Sequence, residues 1–128
     1  MKNKNLTGYL VDVCDELAGS ITISNTLDAL YDILNCDLID ITCLTLGKKE
    51  FCVIVDDEGL LKDAPKISAV SKTGKPLLVG NLLIVSADGG EEFASLLPED
   101  IPLIEQHIRF IATQQHPYPY PAICNIPC

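Results

Sequence analysis

Hydrophobic and polar positions divide the first third of the chain into short alternating runs and one helical stripe. Tyr9-Leu10-Val11-Asp12-Val13-Cys14 alternates loosely and predicts a strand. The polar stretch from Asp15 to Ser20, with Gly19, predicts a turn, and Ile21-Thr22-Ile23 predicts a short β-branched strand, so the two pair as a hairpin. Ser24-Asn25-Thr26 then supplies side chains able to cap a helix, with Asp28 in the first turn to suit the helix dipole. Leu27, Leu30, Tyr31 and Leu34 follow at i, i+3, i+4 and i+7 spacing, which predicts an amphipathic helix ending near Asn35. Tyr31 on that stripe is read as core rather than as a ligand contact.

The strongest strand signal comes next. Leu38 to Leu46 and Glu50 to Asp56 flank Gly47-Lys48-Lys49, and two registers compete. A two-residue loop, Gly47-Lys48, sets Cys43 opposite Cys52 and mixes Asp40 with Phe51, Val53 and Val55 on one face. A three-residue loop gathers Ile39, Ile41, Cys43, Phe51, Val53 and Val55 on one face and leaves Asp40, Thr42, Glu50 and Asp56 on the other. Alternation favours the second register, at the cost of Asp40 opposite Asp56 near solvent. In that register Cys43 and Cys52 lie on opposite faces and cannot be bridged.

Beyond the acidic turn Asp56-Asp57-Glu58-Gly59, residues 60–75 show no clear period, and Lys75-Pro76 breaks the segment. Leu77-Leu78-Val79 and Leu82-Leu83-Ile84-Val85 read as buried strand, with Gly80-Asn81 as a turn or bulge between them. The second aliphatic run needs cover on both faces. Two helices leave too little, so a homo-oligomer is expected. Pro98, Glu99 and Asp100 open a second helix whose stripe is Ile101, Ile104, Ile108 and Ile111. His116-Pro117-Tyr118-Pro119-Tyr120-Pro121 runs extended, because alternating prolines forbid helix. No internal repeat is visible. The fold class expected is therefore α+β: a small mixed or antiparallel sheet in the order hairpin, helix, hairpin, strand, helix. It occupies residues 1–113 as one domain, followed by an extended proline-rich tail over residues 114–128. Tyr118 and Tyr120 are the tail's interaction candidates, expected to dock along a groove.

Composition adds three constraints. The apolar share of 48% with no Trp calls for an aliphatic core. After the basic Met1-Lys2-Asn3-Lys4-Asn5, acidic residues interrupt any apolar run, and no stretch reaches the ~20 apolar residues of a membrane helix. A cytoplasmic location without membrane contact is expected, and the six cysteines read as reduced thiols. Net charge is −9, and it is polarised. No basic residue falls between Lys4 and Lys48, where Asp12, Asp15, Glu16, Asp28, Asp32, Asp37 and Asp40 lie. This balance disfavours direct nucleic-acid binding, which phosphate contacts dominate.

The middle of the chain carries a resemblance. The helix and hairpin, then Asp57-Glu58-Gly59-Leu60, Pro65, Leu78-Val79-Gly80-Asn81-Leu82-Leu83-Ile84-Val85, Phe93-Ala94-Ser95-Leu96 and Glu99-Asp100, follow a family's spacing. The chain resembles a domain-of-unknown-function family of small acidic proteins carried by phages, prophages and mobile elements of gut bacteria. The likeness spans roughly residues 8–110 and leaves the tail outside. Members carry Asn-Arg shortly after the matching proline, whereas Ile67 and Ser68 stand here. The resemblance implies an accessory protein in a bacterial cell and no reaction.

Catalytic and metal constellations are weak throughout. Asp56-Asp57-Glu58 places adjacent carboxylates in a solvated turn, where they point apart. His107, His116, Cys124 and Cys128 match no standard metal spacing. Cys36 has Asp37 beside it and no base. Lys72-Thr73-Gly74-Lys75-Pro76 lacks the first glycine and the helix of a phosphate loop. No enzyme activity, cofactor or metal is expected. The leading expectation is a non-enzymatic interaction module that binds a bacterial host protein through its acidic surface. The alternative is an anionic, nucleotide-like small ligand held by Lys62, Lys66, Ser68, Lys72 and Lys75, with Ser71 and Thr73 as further donors.

Overall fold

The computed structural model describes residues 5–57, 66–87, 93–114 and 117–126. The first two strands, β1 (Asn5–Asp12) and β2 (Leu17–Ser24), pair as a hairpin in register from Asn5 opposite Ser24 to Asp12 opposite Leu17, with Val13 and Cys14 in the turn rather than in the strand and Leu17 to Ser20 in β2 rather than in the turn. Its turn is closed by the Asp12 carboxylate, which accepts from the Asp15 amide at 2.9 Å. Glu16 takes a left-handed φ of 59°. Helix α1 (Leu27–Leu34) also forms where its pattern predicts it. The Thr26 hydroxyl accepts from the Ala29 amide, and Leu30 and Leu34 are buried.

Strands β3 (Ile39–Leu46) and β4 (Lys49–Asp56) make the second hairpin, and here the structure corrects the register. Leu46 pairs with Lys49, so the loop is Gly47-Lys48, and Cys43 faces Cys52 directly. Gly47 sits at φ 64°, the left-handed conformation that a tight two-residue hairpin turn demands. Alternation misleads here because β4 has no wet face: Phe51, Val53 and Val55 are buried on one side and Ile54 on the other. Asp40 shares a face with Val55 and stays exposed on the edge strand, its carboxylate accepting from the Ile41 amide at 2.8 Å.

The remaining strands are β5 (Ile67–Ser71), β6 (Pro76–Val79), β7 (Leu82–Ser86), β8 (Ile108–Ile111) and β9 (Tyr120–Ile126), with α2 (Asp100–Glu105) before β8. They complete two sheets. One is five-stranded and antiparallel in the order β2-β1-β7-β4-β3, and the other is four-stranded, β6-β5-β9-β8. Strands hold 53% of the described residues and helices 14%, so the protein is mostly β and the expected α+β balance is wrong. Two misread segments account for this. Ile108 and Ile111 do not continue the second helix. They lie in β8 opposite Ile123 and Tyr120. The tail is no appendage either, since β9 pairs parallel to β5 and antiparallel to β8 inside the second sheet. Backbone pairing with the following strand overrides a local helical spacing that β-branched residues support only weakly.

Two cores result. Tyr9, Val11, Phe51, Val53 and Ile84 of the first sheet pack against Ala69, Tyr120, Ala122 and Ile123 of the second. On the outer face of the first sheet, Leu6, Leu10, Ile54, Leu83 and Val85 pack against Leu30 and Leu34 of α1. Strand β7 is central and fully buried, as its aliphatic run predicts. Its cover comes from α1 and the second sheet of the same chain, which removes the argument for a subunit interface at that strand.

Gly8 marks the tightest backbone approach. A Cβ there would lie 2.8 Å from both the Ile84 carbonyl oxygen and Leu83 Cδ1. Gly8→Ala is expected to lower stability by roughly 1–3 kcal/mol, measured as a shifted urea midpoint. Gly19→Ala, where a Cβ meets nothing within 4 Å, is the matched control, with an expected change of about 0.5 kcal/mol or less.

Candidate functional site

The end of α1 gathers an acidic surface. Asn35 terminates the helix at φ 53°, donating its amide to the Asp32 carbonyl at 3.2 Å, while Cys36 donates to the Tyr31 carbonyl at 3.0 Å. This paired closure turns the chain sharply and brings Asp37 back beside the last helical turn. Asp28, Tyr31, Asp32, Asn35, Cys36 and Asp37 line a concavity of about 350 Å³. Asp28, Asp32 and Asp37 are exposed, and no basic residue occupies the last turn. A helix C-terminus already carries about half a negative charge, so Asp32 and Asp37 sit where anions are unfavourable. Leu27 and Leu38, 56% and 50% exposed, stand at the two ends of this segment. The site was half legible in the sequence. Asp28 and Asp32 fall one turn apart on the side of α1 opposite Leu30 and Leu34. The return of Asp37 depends on the left-handed Asn35, which no spacing announces.

The described residues of the lysine-rich segment stand in different settings. Lys62 lies outside the described residues. Lys66 is turned inward: its Nζ donates to the Val13 carbonyl at 3.0 Å, approaches the Glu16 carboxylate at 3.8 Å and stands 5.1 Å over the Tyr120 ring. Ser68 is fully buried, and its Oγ finds no hydrogen-bond partner among the described residues. Lys72 and Lys75 are exposed on the β5–β6 turn, where Gly74 has φ 87° and its amide donates to the Ser71 carbonyl. The Ser71 and Thr73 hydroxyls bond each other at 3.0 Å.

The two tail tyrosines part company. Tyr120 is fully buried and its hydroxyl donates to the Ile67 carbonyl at 2.8 Å, whereas Tyr118 is 80% exposed. Burial, more than the nearby Glu16, pushes the Tyr120 phenol up, and the Ile67 bond pulls against it. Tyr9, beneath the same sheet, is pushed up to about 12 by burial and then by the Glu105 carboxylate. Neither phenol is suited to proton transfer near neutrality.

The other sequence candidates are scattered. His107 Nδ1 donates to the Leu103 carbonyl at 3.1 Å, while His116, Cys128 and Glu58 lie outside the described residues. Asp56 is buried at the end of β4 and Asp57 is exposed beyond it. Among the described residues no group of three His, Cys, Asp or Glu side chains is placed to hold a metal, and no helix is long and apolar enough to cross a membrane. Asp100, read from the sequence only as a helix opener, is instead a buried anchor. Its carboxylate meets the Lys49 ammonium and accepts from the Leu97 amide at 2.8 Å.

Strand pairing defines a two-sheet, mostly β domain. Residues 7–109 match the profile of DUF3846, a domain of unknown function, and the chain belongs to that family. Comparison with curated proteins and with solved structures finds no match. The family match begins in β1 and ends in β8, so β9 lies beyond it.

Proposed function

We propose that this DUF3846 protein is a non-enzymatic interaction module, an accessory protein of a phage or mobile element in the bacterial cytoplasm. It binds a bacterial host protein through the acidic surface at the end of α1. The observation that carries this reading is the placement of exposed Asp32 and Asp37 at a helix C-terminus with no basic residue in its last turn. Such an arrangement costs stability in the free protein, and a cationic partner relieves it. Flanking Leu27 and Leu38 add apolar contact, so the matching partner segment carries Lys or Arg beside a few apolar side chains. The anion-binding alternative has less support, because Lys66 is spent on Val13, Glu16 and Tyr120.

The test is a titration of the isotope-labelled protein with an amphipathic Lys/Arg-rich peptide, followed by amide chemical shifts. Shifts are expected to concentrate between residues 27 and 38. Changes spread evenly over the surface, or reproduced by sodium chloride alone, would contradict the reading.

A further inference from the structure

The corrected register of the β3–β4 hairpin creates a site that the expected register would forbid. Cys43 and Cys52 are directly opposed and therefore project from the same face of the sheet. The phase of the ladder follows from its open end, where the Asp57 amide donates to the Leu38 carbonyl at 3.0 Å. Hydrogen-bonded and non-hydrogen-bonded pairs alternate along an antiparallel ladder. Counting inward from Leu38–Asp57, the pairs Asp40–Val55, Thr42–Val53 and Leu44–Phe51 are the bonded ones, and Cys43–Cys52 falls between two of them. Non-bonded partners approach to about 4.5 Å between Cα atoms, with their side chains closest. That lies within the roughly 4.4–6.8 Å over which a disulfide can close.

Access is unequal. Strand β3 is the edge of its sheet, Cys43 is exposed there, and Cys52 is half-buried beside it; both are free thiols. We propose that Cys43 and Cys52 form a dithiol site that takes low-molecular-weight disulfides as its substrates and closes to a cross-strand disulfide. Cys43, after losing its proton to solvent, attacks one sulfur of the incoming disulfide. That S–S bond breaks, a mixed disulfide forms on Cys43, and the first small thiolate leaves and takes up a proton. Cys52, deprotonated in turn, attacks the Cys43 sulfur and expels the second small thiolate, which is protonated likewise. The two protein thiols lose two electrons, and the small disulfide gains them as two thiols. Burial, then the neighbouring Cys43, pushes the Cys52 thiol up, so the closing step quickens as pH rises. The closed bond pins the β3 edge to β4.

The full chain, treated with oxidised glutathione, acid-quenched and alkylated, reports the outcome by peptide mass spectrometry. Trypsin cuts at Lys48 and Lys49, between the two cysteines. Cys14→Ser with Cys36→Ser leaves Cys43 as the sole cysteine of residues 5–48. The expected product in this variant and in the parent is a Cys43–Cys52 cross-link, lighter than the dithiol by two hydrogen atoms. In Cys52→Ser glutathione should stay on Cys43, and in Cys43→Ser the modification of Cys52 should slow roughly tenfold or more. Fragment sequencing of the parent's cross-link decides the matter even if the double serine variant fails to fold. A Cys36–Cys52 bond, glutathione resting on Cys43 beside a free Cys52 across the pH range, or dimers linked through Cys43 as the sole product would each overturn the proposal.

Discussion

Tyr120→Ala is expected to cost about 3–5 kcal/mol, a large fraction of the roughly 5–15 kcal/mol that holds a domain of this size together. The side chain is among the largest that are fully buried, and it fills the core between the two sheets. Its hydroxyl holds the Ile67 carbonyl of β5, and its ring lies under the Lys66 ammonium. Tyr120→Phe keeps the ring and loses only the hydroxyl bond, so its cost should be nearer 1 kcal/mol. Tyr118→Ala, at an exposed position, should change stability by about 0.5 kcal/mol or less. Urea denaturation of the three variants gives the ordering. Ending the chain before Pro117 removes β9 altogether. The cooperative transition should then be lost, because β5 and β8 have no other link within their sheet.

The second large effect belongs to Asn81, a residue the sequence marks only as part of a turn. It is 3% exposed where the chain passes from one sheet to the other. Its Oδ1 accepts from the Val13 amide at 2.9 Å and lies 3.4 Å from the Cys14 amide, while its Nδ2 donates to the Leu34 carbonyl at 3.3 Å. One side chain thus ties the β1–β2 turn and the end of α1 to the crossover. Asn81→Ala strands at least two buried backbone groups, each worth about 1–3 kcal/mol when left unmade. A loss of roughly 2–5 kcal/mol is expected, with faster hydrogen exchange at the Val13 amide. Unchanged exchange at Val13 would show that the turn does not depend on Asn81.

These two residues also mark what the sequence can and cannot convey. Local signals suffice for α1, whose cap and leucine stripe agree, and for the pairing of β1 with β2, though not for where that hairpin turns. They suffice for β7, whose unbroken aliphatic run announces cover on both sides. They fail where pairing with another strand decides the outcome. Ile108 and Ile111 satisfy a helical spacing, but β9 offers their backbone a ladder. Three prolines near Tyr118 and Tyr120 read as an extended tail, and nothing local says that Tyr120 faces a core. The β3–β4 register turned on a single left-handed glycine, against a face pattern that a doubly buried sheet makes uninformative. The acidic end of α1 is visible as charge, while its concave shape depends on the closure at Asn35.

We propose that this acidic helix end is a binding surface kept at some cost to stability. Calorimetric titration of one Lys/Arg-rich amphipathic peptide into the parent and into the Asp28→Asn/Asp32→Asn/Asp37→Asn variant, both folded and at matched low salt, tests it most directly. At least a tenfold loss of affinity is expected in the variant, a difference of about 1.4 kcal/mol. An affinity unchanged by removing all three charges would contradict it.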